Sequence, residues 1–195
     1  MYDWQMDLRM VKSNILTSGA IFMAMIALIT FTACRSNEVG DQRFPKVSDP
    51  GILFTIEDLL HTPYKELNNY STEGLPGATD VSFGFMKING GDPYDYEMRF
   101  YESHQSAVNQ GTAMAEEGTG DTAILSDDDA NYKEGVKNRR TIIGGGTGGG
   151  ARSGIGPKFA TYSIFGNIVM LCQGSDLETS LERCGLMANE LISNE

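Results

Sequence analysis

The sequence predicts a single α+β domain, a two-layer sandwich in which an antiparallel sheet of about four strands carries its helices on one face. Two observations predict this fold. Patterns typical of strand, strand and helix follow one another twice along the chain, as two ββα units separated by a long irregular excursion. In addition, roughly 160 residues follow an apolar N-terminal segment, a length that suits one core and one domain. A small, strongly curved sheet is the alternative, because both faces of the second hairpin are apolar.

The N-terminal segment has the features of a secretory signal peptide. Residues 20–33 carry no charge and are mostly Ile, Met, Phe, Ala and Leu, with Lys12 upstream. A membrane-spanning helix needs roughly 20 apolar residues, which is more than this run provides. We therefore predict that residues 1–33 are a signal peptide that is cut from the chain. Met10 is an alternative start, since the residues before it make the leader long and acidic.

The segment ends in Phe31-Thr32-Ala33-Cys34, which resembles the lipobox of bacterial prolipoproteins. In that family the cysteine thiol receives a diacylglyceryl group, the leader is cut just before the cysteine, and the new amino terminus is often acylated. The resemblance implies a lipoprotein with palmitate-type chains at Cys34, anchored to a bacterial membrane outside the cytoplasm. Arg35 favours the outer membrane where the cell has one, because aspartate at that position resembles an inner-membrane retention signal. The alternative, an uncleaved signal anchor, also places the remaining chain outside the cytoplasm.

The remaining cysteines and the charge limit the kinds of site and partner. Cys172 and Cys184 are left as a pair in an exported chain, which predicts a disulfide, with two buried free thiols as the alternative. The net charge of -11 argues against nucleic acid as a partner, because nucleic-acid binding needs clustered Lys and Arg. The two histidines, His61 and His104, have no partner at metal-ligand spacing, so we expect neither a metal nor another cofactor.

After the leader, residues 34–51 are polar, contain prolines and have no apolar period, so we predict a flexible tether. The domain follows over residues 52–195. It opens with a short helix up to His61, ahead of which Thr55 and Asp58 have capping spacing.

Two strands come next, Val81–Ile88 and a second strand that alternates with a period of two. We expect its apolar set to face the core and its charged set to face water: Tyr94, Tyr96, Met98 and Phe100 against Asp95, Glu97 and Arg99.

The middle of the chain predicts helices and a glycine-rich loop. Ser103 is the expected N-cap of a helix that continues through Glu117. Ser126 is the expected N-cap of a short solvated helix over Asp127–Arg139, in which three aspartates precede the basic residues, the order that a helix dipole favours. Residues 144–156 read GGGTGGGARSGIG, and we predict a mobile loop because glycine loses much backbone freedom when it is ordered.

A hairpin and a helix complete the predicted domain. Two apolar runs flank Gly166-Asn167, which predicts a two-residue turn with glycine at its first central position. A helix then begins at Asp176, and its apolar residues, Cys184 among them, recur at helical spacing. A helix that packs back on its own hairpin would bring Cys184 close to Cys172.

The candidate ligand-binding residues are His104, Arg139 and Arg140. His104 is titratable and lies near Glu102, and the two arginines precede the glycine-rich loop, where guanidinium and backbone N–H groups could bind an anion. That stretch lacks the Gly-Lys-Ser/Thr of phosphate-binding loops, so a simple connector is the preferred interpretation.

Two classes of function remain. The first is a membrane-anchored, non-enzymatic binding or interaction domain that contacts an envelope protein, a cell-wall component or a small solute. The alternative is a small extracytoplasmic enzyme, hydrolase-like, that uses carboxylates as active groups and the glycine-rich loop as a lid. We expect the enzyme to gather His104, one of the two arginines and two carboxylates around one pocket. We favour the first class, since the sequence contains no catalytic motif.

Overall fold

The structure is a computed structural model that describes residues 43–87, 90–143 and 154–194. The predicted signal peptide, the predicted lipidation site Cys34 and most of the glycine-rich loop lie outside these residues.

The described chain forms strands β1–β8 and helices α1–α4. Helix α2 consists of three consecutive pieces, the middle one a π-helix. In chain order the elements are β1 (Val47–Ser48), α1 (Ile56–His61), β2 (Lys65–Asn69), β3 (Ala78–Lys87), β4 (Pro93–Tyr101), α2 (His104–Ser106, Ala107–Gly111 and Thr112–Glu117), α3 (Lys133–Arg139), β5 (Arg140–Ile143), β6 (Gly154–Pro157), β7 (Phe159–Phe165), β8 (Ile168–Gln173) and α4 (Leu177–Ser193).

The core of the fold is a six-stranded sheet with the order β1-β7-β8-β4-β3-β2. Only the β1–β7 pairing within it is parallel, so the predicted α+β class with a largely antiparallel sheet is confirmed. The four predicted strands are the four central ones. The predicted count of about four is nevertheless too low, because β1 and β2 add an edge on each side. Neither edge strand has an apolar period, since β1 has two residues and β2 is exposed along its whole length.

The helices lie on both faces of the sheet, so their predicted placement on one face is wrong. Helices α1 and α4 cover what we call the disulfide face, with Met98, Met170 and Cys172. Helix α2 and the chain around Tyr132 cover the opposite face, which we call the charged face. Strand β8 is buried on both sides up to Cys172, and a sheet with two apolar faces needs cover on each.

Residues 43–51, which the sequence assigns to the tether, contact the sheet. Val47 pairs with Ile164 of β7, and the Ser163 hydroxyl donates a hydrogen bond to the Pro45 carbonyl at 2.9 Å. The rings of Phe44 and Phe165 lie with their centroids 5.9 Å apart. The described half of the predicted tether is therefore part of the domain.

Two elements of the middle region differ from their predicted bounds. Helix α3 begins at Lys133 and not at Asp127, because the Ser126 hydroxyl and carbonyl accept hydrogen bonds from the following amides and close a turn instead. The last residues of the predicted mobile loop, from Gly154, form β6 and pair with β5 in a separate two-stranded sheet.

The second hairpin and its helix agree with the sequence. Gly166 has a φ of 54°, which suits glycine in the turn, and Phe165 pairs with Ile168 across it. The Asp176 side chain accepts a hydrogen bond from the Thr179 amide at 2.8 Å and caps α4. Helix α4 packs back on β7 and β8.

This packing brings Cys172 and Cys184 together in a disulfide with a Cα–Cα distance of 5.6 Å, as the sequence predicted.

Candidate functional site: an end cleft beside a buried charge cluster

The alternating pattern predicted that the charged residues of β4 face water, and this prediction is wrong for two of them. Glu97 and Arg99 have an exposed fraction of 0%. The chain that follows α2 returns across this face of the sheet and places Tyr132 over it. Sequence alternation identifies the two faces of a strand correctly, but it cannot show what later chain covers each face.

Glu97 and Arg99 form one buried ion pair. The Arg99 Nε donates to Glu97 Oε1 at 2.8 Å, and Nη2 lies 2.6 Å from the same oxygen. Because both nitrogens converge on one oxygen, Glu97 Oε2 and Arg99 Nη1 have no hydrogen-bond partner within the described part of the chain. Such atoms make the pair costly to bury.

Glu117 and Arg139 form the second buried pair, with Arg139 Nη1 3.0 Å from Glu117 Oε1. Glu117 also accepts hydrogen bonds from the Asn131 side chain at 2.7 Å and from the backbone amides of Asn131 and Tyr132. Burial alone would raise the pKa of Glu117, but these hydrogen bonds outweigh it and hold the pKa below its ordinary value. Glu117 is therefore an ionised anchor for the chain that leads into α3.

Tyr132 links the two pairs. Its ring centroid lies 5.2 Å from Arg99 Cζ and 5.9 Å from Arg139 Cζ, so both guanidinium groups interact with one aromatic ring. Burial raises the pKa of Tyr132 far above its ordinary value, and its hydroxyl donates to the Ser71 carbonyl at 3.0 Å. We call Glu97, Arg99, Glu117, Tyr132 and Arg139 the buried charge cluster.

The space around Arg139 is closed by glycines. A Cβ on Gly118 would lie 3.2 Å from Arg139 Nε, and a Cβ on Gly135 would lie 2.9 Å from Nη2. The cluster pairs two cations with two carboxylates, and Gly118 and Gly135 pack closely against Arg139. The contact of Tyr132 with Arg99 joins the covering chain to β4.

An open cleft of about 440 Å³ lies at the end of the sheet where β8 finishes, between the β5–β6 hairpin and the start of α4. We call it the end cleft. The basic side chains in its lining are Lys158 and Arg183, and Asp121 is the acidic one. Gln173 and Ser175 add an amide and a hydroxyl, and the hairpin adds an apolar wall. This combination of polar groups and concave shape is typical of a ligand site.

Lys158 connects the end cleft to the interior. Its ammonium group forms an ion pair with Asp95 and lies 5.2 Å from the centroid of the Phe83 ring. Its backbone N–H donates to the Arg139 carbonyl at 2.6 Å. The lysine is therefore held by three neighbours while its side chain keeps a 14% exposed fraction on the cleft side.

Arg183 is held on the opposite wall. Its Nη1 donates to the Gln173 carbonyl at 2.7 Å, and its guanidinium carbon lies 3.7 Å from the centroid of the Tyr94 ring. The Gln173 side chain in turn accepts a hydrogen bond from the Asp95 amide at 2.9 Å. Both cations of the cleft are thus positioned by neighbours before any ligand arrives, which reduces the entropy that binding must remove.

None of the three predicted ligand residues lines the end cleft. His104 Nδ1 lies 2.7 Å from the Gly166 carbonyl, at the turn end of β7, whereas the Arg139 carbonyl contacts Lys158 at the other end. At about 3.3 Å per strand residue, these ends are roughly 20 Å apart. Arg139 is buried in the cluster, and Arg140 is exposed on β5. The three residues therefore belong to three separate environments.

A second depression, of about 330 Å³, lies at the end of the sheet where β4 finishes. Its charged lining is acidic, from Glu57, Asp80 and Glu102, above an apolar floor that includes Phe54 and Phe100. The two ends of the sheet thus differ in charge, because the end cleft has two basic residues and one acidic residue in its lining. Within the described ranges, no cluster of three His, Cys, Asp or Glu side chains has a metal-binding arrangement.

Sequence reasoning missed Lys158, Gln173 and Arg183, although one signal was available. The predicted two-residue turn fixes the register of β7 against β8, and extending it from Phe165↔Ile168 carries Phe159 to the neighbourhood of Gln173. That register places Lys158 beside the start of α4. Nothing in the sequence pattern adds Arg183, whose position depends on how α4 turns on the sheet.

The fold and the cleft together define a small α+β domain with a disulfide-stapled helix and a mixed-charge cleft at one end of its sheet. The chain belongs to a family of unknown function, DUF6810, whose model matches residues 55–193. The matched range begins at the N-cap of α1 and includes both cysteines and all the residues of the end cleft. No curated protein and no solved structure matches the chain. None of the helices in the described ranges combines the length and the apolar character of a membrane span.

Proposed function

We propose that the protein is a bacterial envelope lipoprotein, anchored outside the cytoplasm through lipid on Cys34, and that its domain binds a small ligand or a chain end in the end cleft. Binding, and not catalysis, is the function. The observation that carries this proposal is the pair of preorganised cations, Lys158 and Arg183, in one concave site of a strongly acidic chain. If the cell has an outer membrane, the anchor lies there.

The disulfide supports the extracytoplasmic location. Bonds of this kind persist in oxidising compartments and are rare where thioredoxin and glutathione keep thiols reduced. Cys172 and Cys184 join β8 to α4 across the core, and neither residue is exposed, so the bond is structural. The lipobox-like segment supports the same location independently.

The environments of the sequence candidates favour binding over hydrolysis. Arg139 is sealed against Glu117, and His104 is engaged by the Gly166 carbonyl. The histidine is held at Gly166, four residues along β7 from Tyr162, which is level with Glu97 through β8, a distance of roughly 13 Å at about 3.3 Å per strand residue. A hydrolase of the predicted kind needs these groups around one substrate.

Intact-mass measurement of the protein extracted from membranes tests the anchor. We expect a chain that begins at Cys34, carries acyl groups and has lost the two thiol hydrogens of the disulfide. A Cys34→Ser variant is the matched control, and it should retain the leader and lack the lipid. A full-length, unlipidated wild-type protein in the soluble fraction would overturn the anchor.

Photo-crosslinking in cells tests the binding site. A benzophenone amino acid at Ser175, which lines the end cleft, should give adducts of defined mass. The same amino acid at Gln105, on the exposed side of α2 and away from the cleft, is the control and should give none. Equal adduct patterns from the two positions would contradict a ligand site in the end cleft.

A further inference from the structure

We propose that the end cleft recognises a carboxylate that is adjacent to an aliphatic group, the chemistry found at the C-terminal residue of a peptide that ends in Leu, Ile or Val. This inference rests on the proposed function, because it names the ligand class of the same cleft.

The carboxylate is inferred from unused donors. An ammonium group has three N–H donors and a guanidinium group has five. One hydrogen bond of Lys158 goes to Asp95, and one of Arg183 goes to the Gln173 carbonyl. Within the described ranges the remaining donors of the two groups outnumber these contacts, and both residues line the same cleft. Guanidinium and ammonium groups bind carboxylates through charge-assisted hydrogen bonds, which are about twice as strong as neutral ones.

The end cleft differs in charge from the depression at the opposite end of the sheet. The chain carries a net charge of -11, and the depression at the opposite end of the sheet has acidic side chains as its charged lining. An anionic ligand therefore meets less acidic charge in the end cleft, where Lys158 and Arg183 offset Asp121 and the Lys158 partner Asp95, than at the opposite end of the sheet. A cationic ligand would be expected at the opposite end instead.

The aliphatic part is inferred from the hairpin wall. Ile142 lines the end cleft and is 84% exposed, and it pairs directly with Ile155, which is 67% exposed. Two adjacent isoleucines in water form an apolar surface that a ligand can cover, at about 25 cal/mol per Å² of apolar area removed from water. Ile142 lines the same cleft as Lys158 and Arg183, so one ligand of the size of the cleft can present an apolar group to Ile142 and a carboxylate to the cations.

The volume limits the size of the ligand. A cleft of about 440 Å³ falls within the range of roughly 300–1,000 Å³ that is typical of small-molecule sites. It holds one or two terminal residues of a peptide, or a single acylated amino acid, and leaves the rest of a longer chain outside. The same chemistry can therefore come from a free small molecule or from a chain end.

Calorimetric titration of the detergent-extracted, lipidated protein tests the inference with N-acetyl-leucine, N-acetyl-leucinamide, N-acetyl-glycine and an acetylated tetrapeptide ending in leucine. We expect the leucine carboxylate to bind at least about tenfold more tightly than its amide, the effect of one charge-assisted hydrogen bond. It should also bind more tightly than the glycine analogue. Equal binding of acid and amide, or no binding of any carboxylate probe, would overturn the inference.

Substitutions in the end cleft test whether the affinity for the carboxylate probes depends on its residues. Lys158→Gln and Arg183→Gln should each lower the affinity for N-acetyl-leucine about tenfold. Lys137→Gln removes the same charge from an exposed site on α3 and should leave it unchanged. Ile142→Ser alters a side chain that is almost fully exposed, so the fold is retained, and it should remove the preference for leucine over glycine. If Lys158→Gln matches Lys137→Gln, or Ile142→Ser keeps the preference, the assignment is wrong.

The two probe lengths separate the sources of the ligand. Equal affinities of N-acetyl-leucine and the tetrapeptide support a single residue as the recognised unit, and tighter binding of the tetrapeptide supports a peptide end. Adducts at Ser175 without binding of any carboxylate probe would overturn this inference and leave the proposed binding function standing.

Discussion

On the disulfide face of β4, Tyr96, Met98 and Phe100 are at most 2% exposed, and on the charged face Glu97 and Arg99 are buried as completely. The same strand thus inserts an apolar row into one core and a charged row into the other. On the disulfide face the neighbours are helices with apolar side chains and one covalent bond. On the charged face the neighbours are a second ion pair and an aromatic ring.

The difference lies in what each face requires of its partners. An apolar side chain gains free energy by leaving water, whichever apolar atoms it meets. A charged side chain loses several kcal/mol by leaving water and recovers this only through specific partners. We therefore expect the disulfide face to be sensitive to volume and covalent linkage, and the charged face to be sensitive to the loss of single partners and to pH.

The largest effect is expected for Arg139→Met on the charged face. The substitution leaves Glu117 buried without its cation, which should lower the free energy of unfolding by about 3–5 kcal/mol. Chemical denaturation at pH 7 measures this loss. Arg140→Met is the matched control, because the neighbouring arginine is exposed, and it should change the value by less than about 0.5 kcal/mol.

A double substitution sharpens this result. Arg139→Met combined with Glu117→Gln removes both charges and keeps a side-chain oxygen that can accept hydrogen bonds from the amides of Asn131 and Tyr132. We expect the double variant to be more stable than Arg139→Met alone. If it is less stable, the loss in the single variant is not the cost of an unpaired carboxylate, and the contrast between the two faces is lost.

The next largest effect is expected for the disulfide face, with Cys172→Ala and Cys184→Ala combined. The bond closes a loop with a sequence separation of 12 residues, and its removal should lower the free energy of unfolding by about 3 kcal/mol. The loss should be the same at pH 7 and at pH 4, since disulfide sulfurs do not titrate. A loss that varies with pH would show that the two faces are coupled.

The third prediction concerns the pH dependence of the charged face. Hydrogen bonds hold the pKa of Glu117 below its unfolded value of about 4.3, so its ionised form stabilises the fold above that pH. This stability is lost as the pH falls through the lower folded-state pKa. We expect Glu117→Gln to have a lower free energy of unfolding than the wild-type protein at pH 7. Below pH 4.3 its free energy of unfolding should decrease less steeply, so that the stabilities of the two proteins become similar in acid. Denaturation curves measured from pH 7 to pH 3 give both slopes, and parallel slopes would contradict the prediction.

The local sequence pattern was enough to predict the four central strands of the sheet. The alternation in β4, the Gly166-Asn167 turn and the helical period of α4 each depend on residues near one another in the chain. They predicted the central strands and, through the helix packing back on its hairpin, the disulfide. The edge strands could not be predicted in this way, because β1 and β2 pair through backbone groups and carry no apolar pattern.

The buried charges and the end cleft depend on contacts that are distant in sequence. Glu97 is covered by chain that passes Tyr132, and Lys158 meets Asp95. Alternation in β4 shows which residues share a face, but it assigns a charged face to water by default. The predicted ligand site was wrong because it, too, was based on local information. His104, Arg139 and Arg140 were chosen by residue type and by their neighbours in the chain, and these do not show which residues meet in the fold.

The smallest change in the free energy of unfolding is expected when one tyrosine on each face is replaced by phenylalanine. Tyr132→Phe on the charged face removes a donor to the Ser71 carbonyl at 3.0 Å, and Tyr96→Phe on the disulfide face removes a donor to the Arg183 carbonyl at 3.3 Å. A typical hydrogen bond contributes about 1 kcal/mol, and a longer one contributes less, so Tyr132→Phe should cost about 1 kcal/mol and Tyr96→Phe a smaller amount. The variant keeps the aromatic ring that both guanidinium groups contact, so the loss of stability in Tyr132→Phe measures the contribution of the hydroxyl alone. Both values come from the same denaturation measurement, and a larger loss for Tyr96→Phe would mean that polar contacts stabilise the disulfide face more than its apolar packing indicates.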